Sequence, residues 1–166
     1  MKDSERQRIF DEWLSKHKGL MFKVVRAYSF TAHDREDLFQ EIAIQLWNSI
    51  PKFREDSAVT TWIYRVALNT ALTWTRKEKK QRDTKSSLIQ SEQILTQTPT
   101  FKDNRLEWIY EQISQLDEVD RSLTLLMLDG FSYKEIAAII GITESNVGVK
   151  INRIKKRLIE KIQAGD

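Results

Sequence analysis

The stretch from residue 129 to 158, DGFSYKEIAAIIGITESNVGVKINRIKKRL, constrains the fold more tightly than any other. Ser132 stands three residues before Glu135, the spacing of a capping box, and opens a helix that would bury Ile136, Ala137 and Ile140. Gly141 follows, where a helix commonly ends in the left-handed conformation that glycine adopts cheaply. Thr143 can cap a second helix on which Val147, Ile151, Ile154 and Leu158 form one apolar stripe at about 100° per residue. The opposite face carries Ser145, Val149, Asn152, Arg153 and Lys156, with Lys150 and Arg157 at its edge. A small residue, Ala137, where two helices cross, a turn glycine and a basic second helix describe a helix-turn-helix. The bland alternative is a helical hairpin with a solvated basic face. Between residues 150 and 161 six Lys or Arg oppose one Glu. That bias favours a surface facing phosphates, because neutralising DNA phosphates releases counterions.

Composition bounds the remainder. The 166 residues suffice for one domain or two small ones. Net charge is only +3, so local clusters matter more than the sum. The absence of cysteine excludes disulfides, thiol catalysis and cysteine-ligated zinc. No apolar core follows MKDSERQR, and no apolar run approaches about 18 residues. The sequence therefore predicts a soluble cytoplasmic protein without membrane insertion. Five Gly, two Pro and no alternating apolar run point to an all-α chain.

A first helix is predicted over residues 4–28, with Ile9, Phe10, Trp13, Leu14, Leu20, Met21, Val24, Val25 and Tyr28 on a wide core face and His17 on the surface. A second, over residues 34–50, would pack Leu38, Ile42, Leu46 and Ile50 inward and stop at Pro51. Asp34, Asp37 and Glu41 fall at +3 and +4, with Gln40 beside them. Like charges at that spacing cost a helix a few tenths of a kcal/mol, so the row does not serve helix stability. A divalent-metal or acid/base site, a solvated face and a docking face for a basic partner all fit this pattern. Metal chemistry is the weakest reading, since no second ligand cluster accompanies the row.

A third helix starts near Thr60 with TWIYRVALNTALTWTRKEKKQR. Trp62, Ile63, Val66, Ala67, Thr70, Ala71 and Trp74 mix core and exposed positions, and Arg65 and Asn69 share one face. Five of the seven residues from Arg76 to Arg82 are basic. Rings interleaved with basic and amide side chains suit single-stranded nucleic acid, where each base stacked on a ring contributes about 1–3 kcal/mol. Buried anchoring is the competing role for Trp62 and Trp74. Residues 83–101 turn polar without a useful apolar stripe and read as a linker, about 25 Å r.m.s. as a flexible coil. Helices return over residues 104–115 and 118–128 and lead into the helix-turn-helix. The prediction is two helical modules, 1–82 and 102–166, on a polar tether.

These motifs, in this order, resemble bacterial sigma factors of the extracytoplasmic-function group, which keep only the second and fourth conserved sigma regions. The resemblance runs from about Leu20 to Ile159 apart from the linker. Asp34 and the DLFQE run (Asp37, Leu38, Gln40, Glu41), with Trp47, resemble the family's polymerase-docking helix. FREDS (Phe53, Arg54, Ser57) with TWIYRVALN (Thr61, Trp62, Arg65, Asn69), followed by Arg76, resembles the part that captures the minus-10 element and holds its unpaired bases. The helix-turn-helix resembles the region reading the minus-35 duplex, which implies contacts from Ser145, Asn146, Gly148, Val149, Asn152, Arg153 and Lys156.

The chain departs from the family at two places. Leu116-Asp117 replaces the usual Leu-Pro, and Gly148-Val149 stands where a basic and a small polar residue are common. Gly148 weakens its helix by up to about 1 kcal/mol relative to Ala, and Val149 suits a thymine methyl. The resemblance implies core RNA polymerase and promoter DNA as partners, and leaves open whether an anti-sigma factor is a third. With no nucleophile–base pair, Gly-rich phosphate loop or metal cluster in view, the sequence predicts neither enzyme nor cofactor. A stand-alone DNA-binding regulator, or a metal nuclease using Asp34, Asp37 and Glu41, are the readings from other classes.

Overall fold

The computed structural model describes residues 1–84 and 104–165, with the side chains of 82–84 left aside. Among the described residues there are helices and no strands: α1 (Asp3–Tyr28), α2 (Ala32–Ser49), α3 (Val59–Thr84), α4 (Asn104–Ser114), α5 (Glu118–Leu128), α6 (Tyr133–Ile140) and α7 (Glu144–Gln163), with one 3-10 turn at Ile50–Lys52. The chain divides into two compact units, Met1–Thr100 and Phe101–Asp166. Of the predicted linker, residues 83 and 84 continue α3, because the apolar and basic helix carries on without a breaker. Residues 85–101 lie outside the described part.

In the first unit α1, α2 and α3 pack against one another. Met21 and Val24 from α1, Leu38, Ile42 and Leu46 from α2, and Ile63, Tyr64 and Ala67 from α3 are fully buried. Tyr64 and Leu68 belong to this core although the sequence reading passed over them. α1 differs from expectation at His17, whose φ of −120° and ψ of 16° interrupt the helix. The cause is readable: His17 occupies a position of the Trp13-to-Met21 stripe that calls for an apolar side chain, and Gly19 follows. His17 is therefore half-buried rather than a surface residue, and burial pushes its pKa down.

α2 starts earlier than predicted because Thr31, not a residue nearer Asp34, is the cap. Its side chain accepts from the Asp34 backbone N–H at 3.0 Å. α2 ends at Ser49, and Pro51 lies within the 3-10 turn that follows directly, Ile50–Lys52. The turn after it holds Glu55 in the left-handed region at φ 62°, which costs a non-glycine residue about 1 kcal/mol.

In the second unit α5, α6 and α7 pack together and α4 joins through α5. The Leu116-Asp117 departure turns out to be a cap: the Asp117 carboxylate accepts from the Asp120 N–H at 2.8 Å. Ser132 and Glu135 form the full capping box, and Gly141 closes α6 at φ 85°. Thr143 accepts from the Asn146 N–H and opens α7. Val147, Ile151 and Ile154 are buried, with Leu158 half-buried. On α6 the second core residue is Ile139, with Ile140 half-buried. α6 packs against both α5 and α7, so its buried face is set by two partners.

Candidate functional site

The α2 carboxylates keep the arrangement their spacing predicts. Asp37 and Gln40 are exposed, while Asp34 and Glu41 are half-buried. His33 Nε2 lies 3.4 Å from Asp37 Oδ2, and the Gln45 amide donates to Glu41 at 3.3 Å. Among the described residues no group of three or more His, Asp or Glu could hold a metal ion. Leu38, placed by resemblance with the docking row, is 0% exposed; it anchors α2 in the core and offers no surface.

Trp47 is half-buried, with neighbours from α1 on its ring. The Arg6 guanidinium lies 4.3 Å from the centre of its ring, and Phe10 meets it edge-on at 5.4 Å. Arg6 Nε and Nη2 also donate to the Trp47 carbonyl at 3.0 and 2.6 Å, satisfying an oxygen at the end of α2.

α3 brings its predicted residues to two places. Phe53 is wedged between Trp13 and Trp62, with ring centres 5.5 Å away on each side. Trp62 Nε1 donates to Ser49 Oγ at 3.1 Å, which fixes the ring against the end of α2. Arg54 and Arg76 are exposed; Ser57, Thr61 and Arg65 are half-buried. Asn69 is exposed and looks into an open groove of about 550 Å³ between α3 and α2, whose walls include Asp37, Gln40, Glu41, Trp74 and Lys77. Periodicity within α2 or α3 alone does not bring the α2 row and Asn69 together. Continuing the Asn69 face by +4 and +8, through Thr73 and Lys77, would have traced this wall.

On α7, Ser145, Asn146, Val149, Asn152, Arg153 and Lys156 are exposed, and Val149 is 62% exposed. An uncovered valine of that size on a polar face is available for contact. Gly148 is half-buried, and a Cβ there would stand 3.5 Å from Tyr133 Cε2, ordinary van der Waals distance. The arrangement offers duplex DNA a helix with a polar, cationic face supported by a capped partner helix.

Comparison with known proteins agrees with this geometry. Residues 13–81 match the family model of Sigma-70 region 2, and residues 106–158 match that of Sigma-70, region 4. The ECF RNA polymerase sigma-E factor of Escherichia coli (strain K12) is 27% identical, over 95% of this chain and 88% of that protein. Its counterpart in Haemophilus influenzae is also 27% identical, over 95% of this chain and 89% of that protein. Among solved structures, the sigma factor RpoE bound to the anti-sigma factor NepR from Bartonella quintana shares the fold at TM-score 0.76 and 21% identity, over 94% of this chain and 98% of that one. CnrH in complex with the cytosolic domain of CnrY aligns at TM-score 0.66 and 18% identity, over 96% of this chain and 91% of that one. The chain belongs to the extracytoplasmic-function sigma factors. It is thus a transcription initiation factor acting in promoter recognition. No described helix is long and apolar enough to cross a membrane.

Proposed function

We propose that this protein works in the cytoplasm, without catalysis or cofactor of its own, by joining core RNA polymerase and placing two DNA-binding faces on a promoter. Asp34, Asp37, Gln40 and Glu41 dock the polymerase. Arg54, Ser57, Thr61, Trp62, Arg65, Asn69 and Arg76, with Phe53 supporting Trp62, hold the minus-10 element once its bases are unpaired. Ser145, Asn146, Gly148, Val149, Asn152, Arg153 and Lys156 read the minus-35 duplex from a major groove. The observation that carries this reading is α7, which buries Val147, Ile151 and Ile154 and leaves its polar, basic side in solvent. Opening follows from capture: unstacking costs a few kcal/mol per base, and a site that fits only the flipped-out base offsets it. An anti-sigma factor fits as a regulator, since both solved relatives above are complexes, one with an anti-sigma factor.

The test is co-elution with core polymerase and run-off transcription, using Asp37→Lys combined with Glu41→Lys. Losing a desolvated charge-assisted contact costs about 2 kcal/mol or more, so the pair should weaken docking roughly a thousand-fold. Promoter-specific transcription should vanish while the helical circular-dichroism signal stays. Normal co-elution and transcription would leave the row a solvated face. Tight promoter binding by the wild type without polymerase would favour a stand-alone regulator instead.

A further inference from the structure

One buried carboxylate plays no part in the reading above. Asp120, on α5, is 8% exposed, and its Oδ1 is buried without a hydrogen-bond partner. Only its backbone is engaged in the cap, through the bond from its N–H to Asp117. A buried carboxylate oxygen with no hydrogen-bond partner disfavours folding, so the position calls for another explanation.

The explanation lies on α7, against which α5 packs. At about 100° per residue, Lys150, Arg153 and Arg157 fall within roughly 60° of one another. They form a border between the buried Val147, Ile151 and Ile154 stripe and the exposed Val149, Asn152 and Lys156 side. Farther along this border Lys161 reaches back to the side chains of Gln112 and Gln115, so this edge of α7 is the one turned toward its neighbours. The charges acting on the Asp120 carboxylate are Asp117, at the cap of its own helix, and Lys150, Arg153 and Arg157. Arg153, which the minus-35 reading places at DNA, and its border neighbours Lys150 and Arg157 thus lie within the electrostatic reach of an internal anion.

We propose that Asp120 is a positioning residue for minus-35 reading: its carboxylate, held in the α5–α7 interface, draws the Lys150, Arg153 and Arg157 border toward α5 and weakens the grip of α7 on DNA. The proposal rests on α7 being the duplex-reading helix. Its effect is electrostatic and sequence-independent, because the competing ligand is the phosphate backbone. Two consequences follow. Removing the charge at constant shape tightens DNA binding. DNA that takes up the cations leaves the carboxylate less compensated, so binding is accompanied by proton uptake at Asp120. Burial and Asp117 already push the Asp120 pKa up, against the pull of the three cations. The neutral form, which releases the border, therefore gains population as pH falls, and affinity rises with it.

The full-length protein and a mixed-sequence DNA duplex at low salt provide the test. Arg153→Ala and Lys156→Ala must first weaken binding; if they do not, α7 is not the reading helix, and that failure is distinct from failure of the proposal. Asp120→Asn should then bind about fivefold tighter than wild type at neutral pH. The difference should narrow as pH is lowered from neutral, because the wild-type carboxylate, whose pKa burial raises, takes up a proton and loses its charge. Equal affinity of Asp120→Asn and wild type at every pH would overturn the proposal, as would weaker binding by a variant with native helical signal. The wild type alone gives a check free of folding effects. The Asp120 carboxyl resonance should titrate at higher pH with the duplex bound than without it, and an unmoved titration would also overturn the proposal.

Discussion

Ser132 and Glu135 each satisfy the other's backbone at the entrance to the helix-turn-helix. The Glu135 N–H donates to Ser132 Oγ at 3.1 Å and the Ser132 N–H donates to Glu135 Oε1 at 3.0 Å. α6 has eight residues and too few hydrogen bonds to form without help, so its cap decides whether the turn before α7 is held. Ser132→Ala should cost the second unit about 1 kcal/mol in urea unfolding. The bond from the Ser132 N–H holds the Glu135 carboxyl below its ordinary range. The sign follows: a lowered folded-state pKa contributes stability that is complete above the unfolded value and disappears as pH falls through the folded one. Wild type should lose this contribution on acidification, and Glu135→Gln should show no matching loss; parallel acid limbs for the two would remove the carboxylate from the account.

Elements differ in how openly their sequences declare them. α7 was readable throughout, because cap, stripe and polar face all occupy one continuous period and the structure needs nothing else to define them. α5 is readable too, and an Asp ahead of its first turn, Asp117, is the residue type that caps it. α1 hid its interruption: the apolar period runs on both sides of His17, and a single polar residue in a long stripe gives little warning of a break. The groove beside Asn69 was the least readable feature, since it exists only once α2 and α3 face each other, a pairing that periodicity within either helix does not contain. Gly148 offers a direct test at this scale. It is half-buried in α7 with room for a Cβ at ordinary contact distance from Tyr133, so nothing in the fold requires glycine there. Gly148→Ala should stabilise the second unit by up to about 1 kcal/mol, read as a higher urea midpoint with an unchanged slope. A destabilised variant would mean that Tyr133 cannot yield and that the glycine serves packing.

Across the whole molecule, each unit closes its own core. Met21, Leu38, Ile42, Leu46, Ile63 and Tyr64 are fully buried in the first, and Leu123, Leu126, Ile136, Val147 and Ile151 in the second. We propose on this ground that residues 1–82 and 102–166 fold independently, joined by 83–101. The two pieces should not be equally stable. A domain near 60 residues buries only about 60% of the surface its unfolded chain exposes, so the smaller piece has less apolar burial to set against conformational entropy. The smaller piece also keeps Asp120 in its interface, where the carboxylate opposes folding at neutral pH. Expressed separately, both pieces should give helical spectra that sum to that of the full chain. Each should unfold cooperatively, the 102–166 piece at the lower urea concentration. If either piece is unfolded alone while the full chain is helical throughout, the two cores depend on each other and the division into modules is wrong. If both fold but the 102–166 piece proves the more stable, the ranking by core size fails and the caps at Asp117, Ser132 and Thr143 contribute more than burial does.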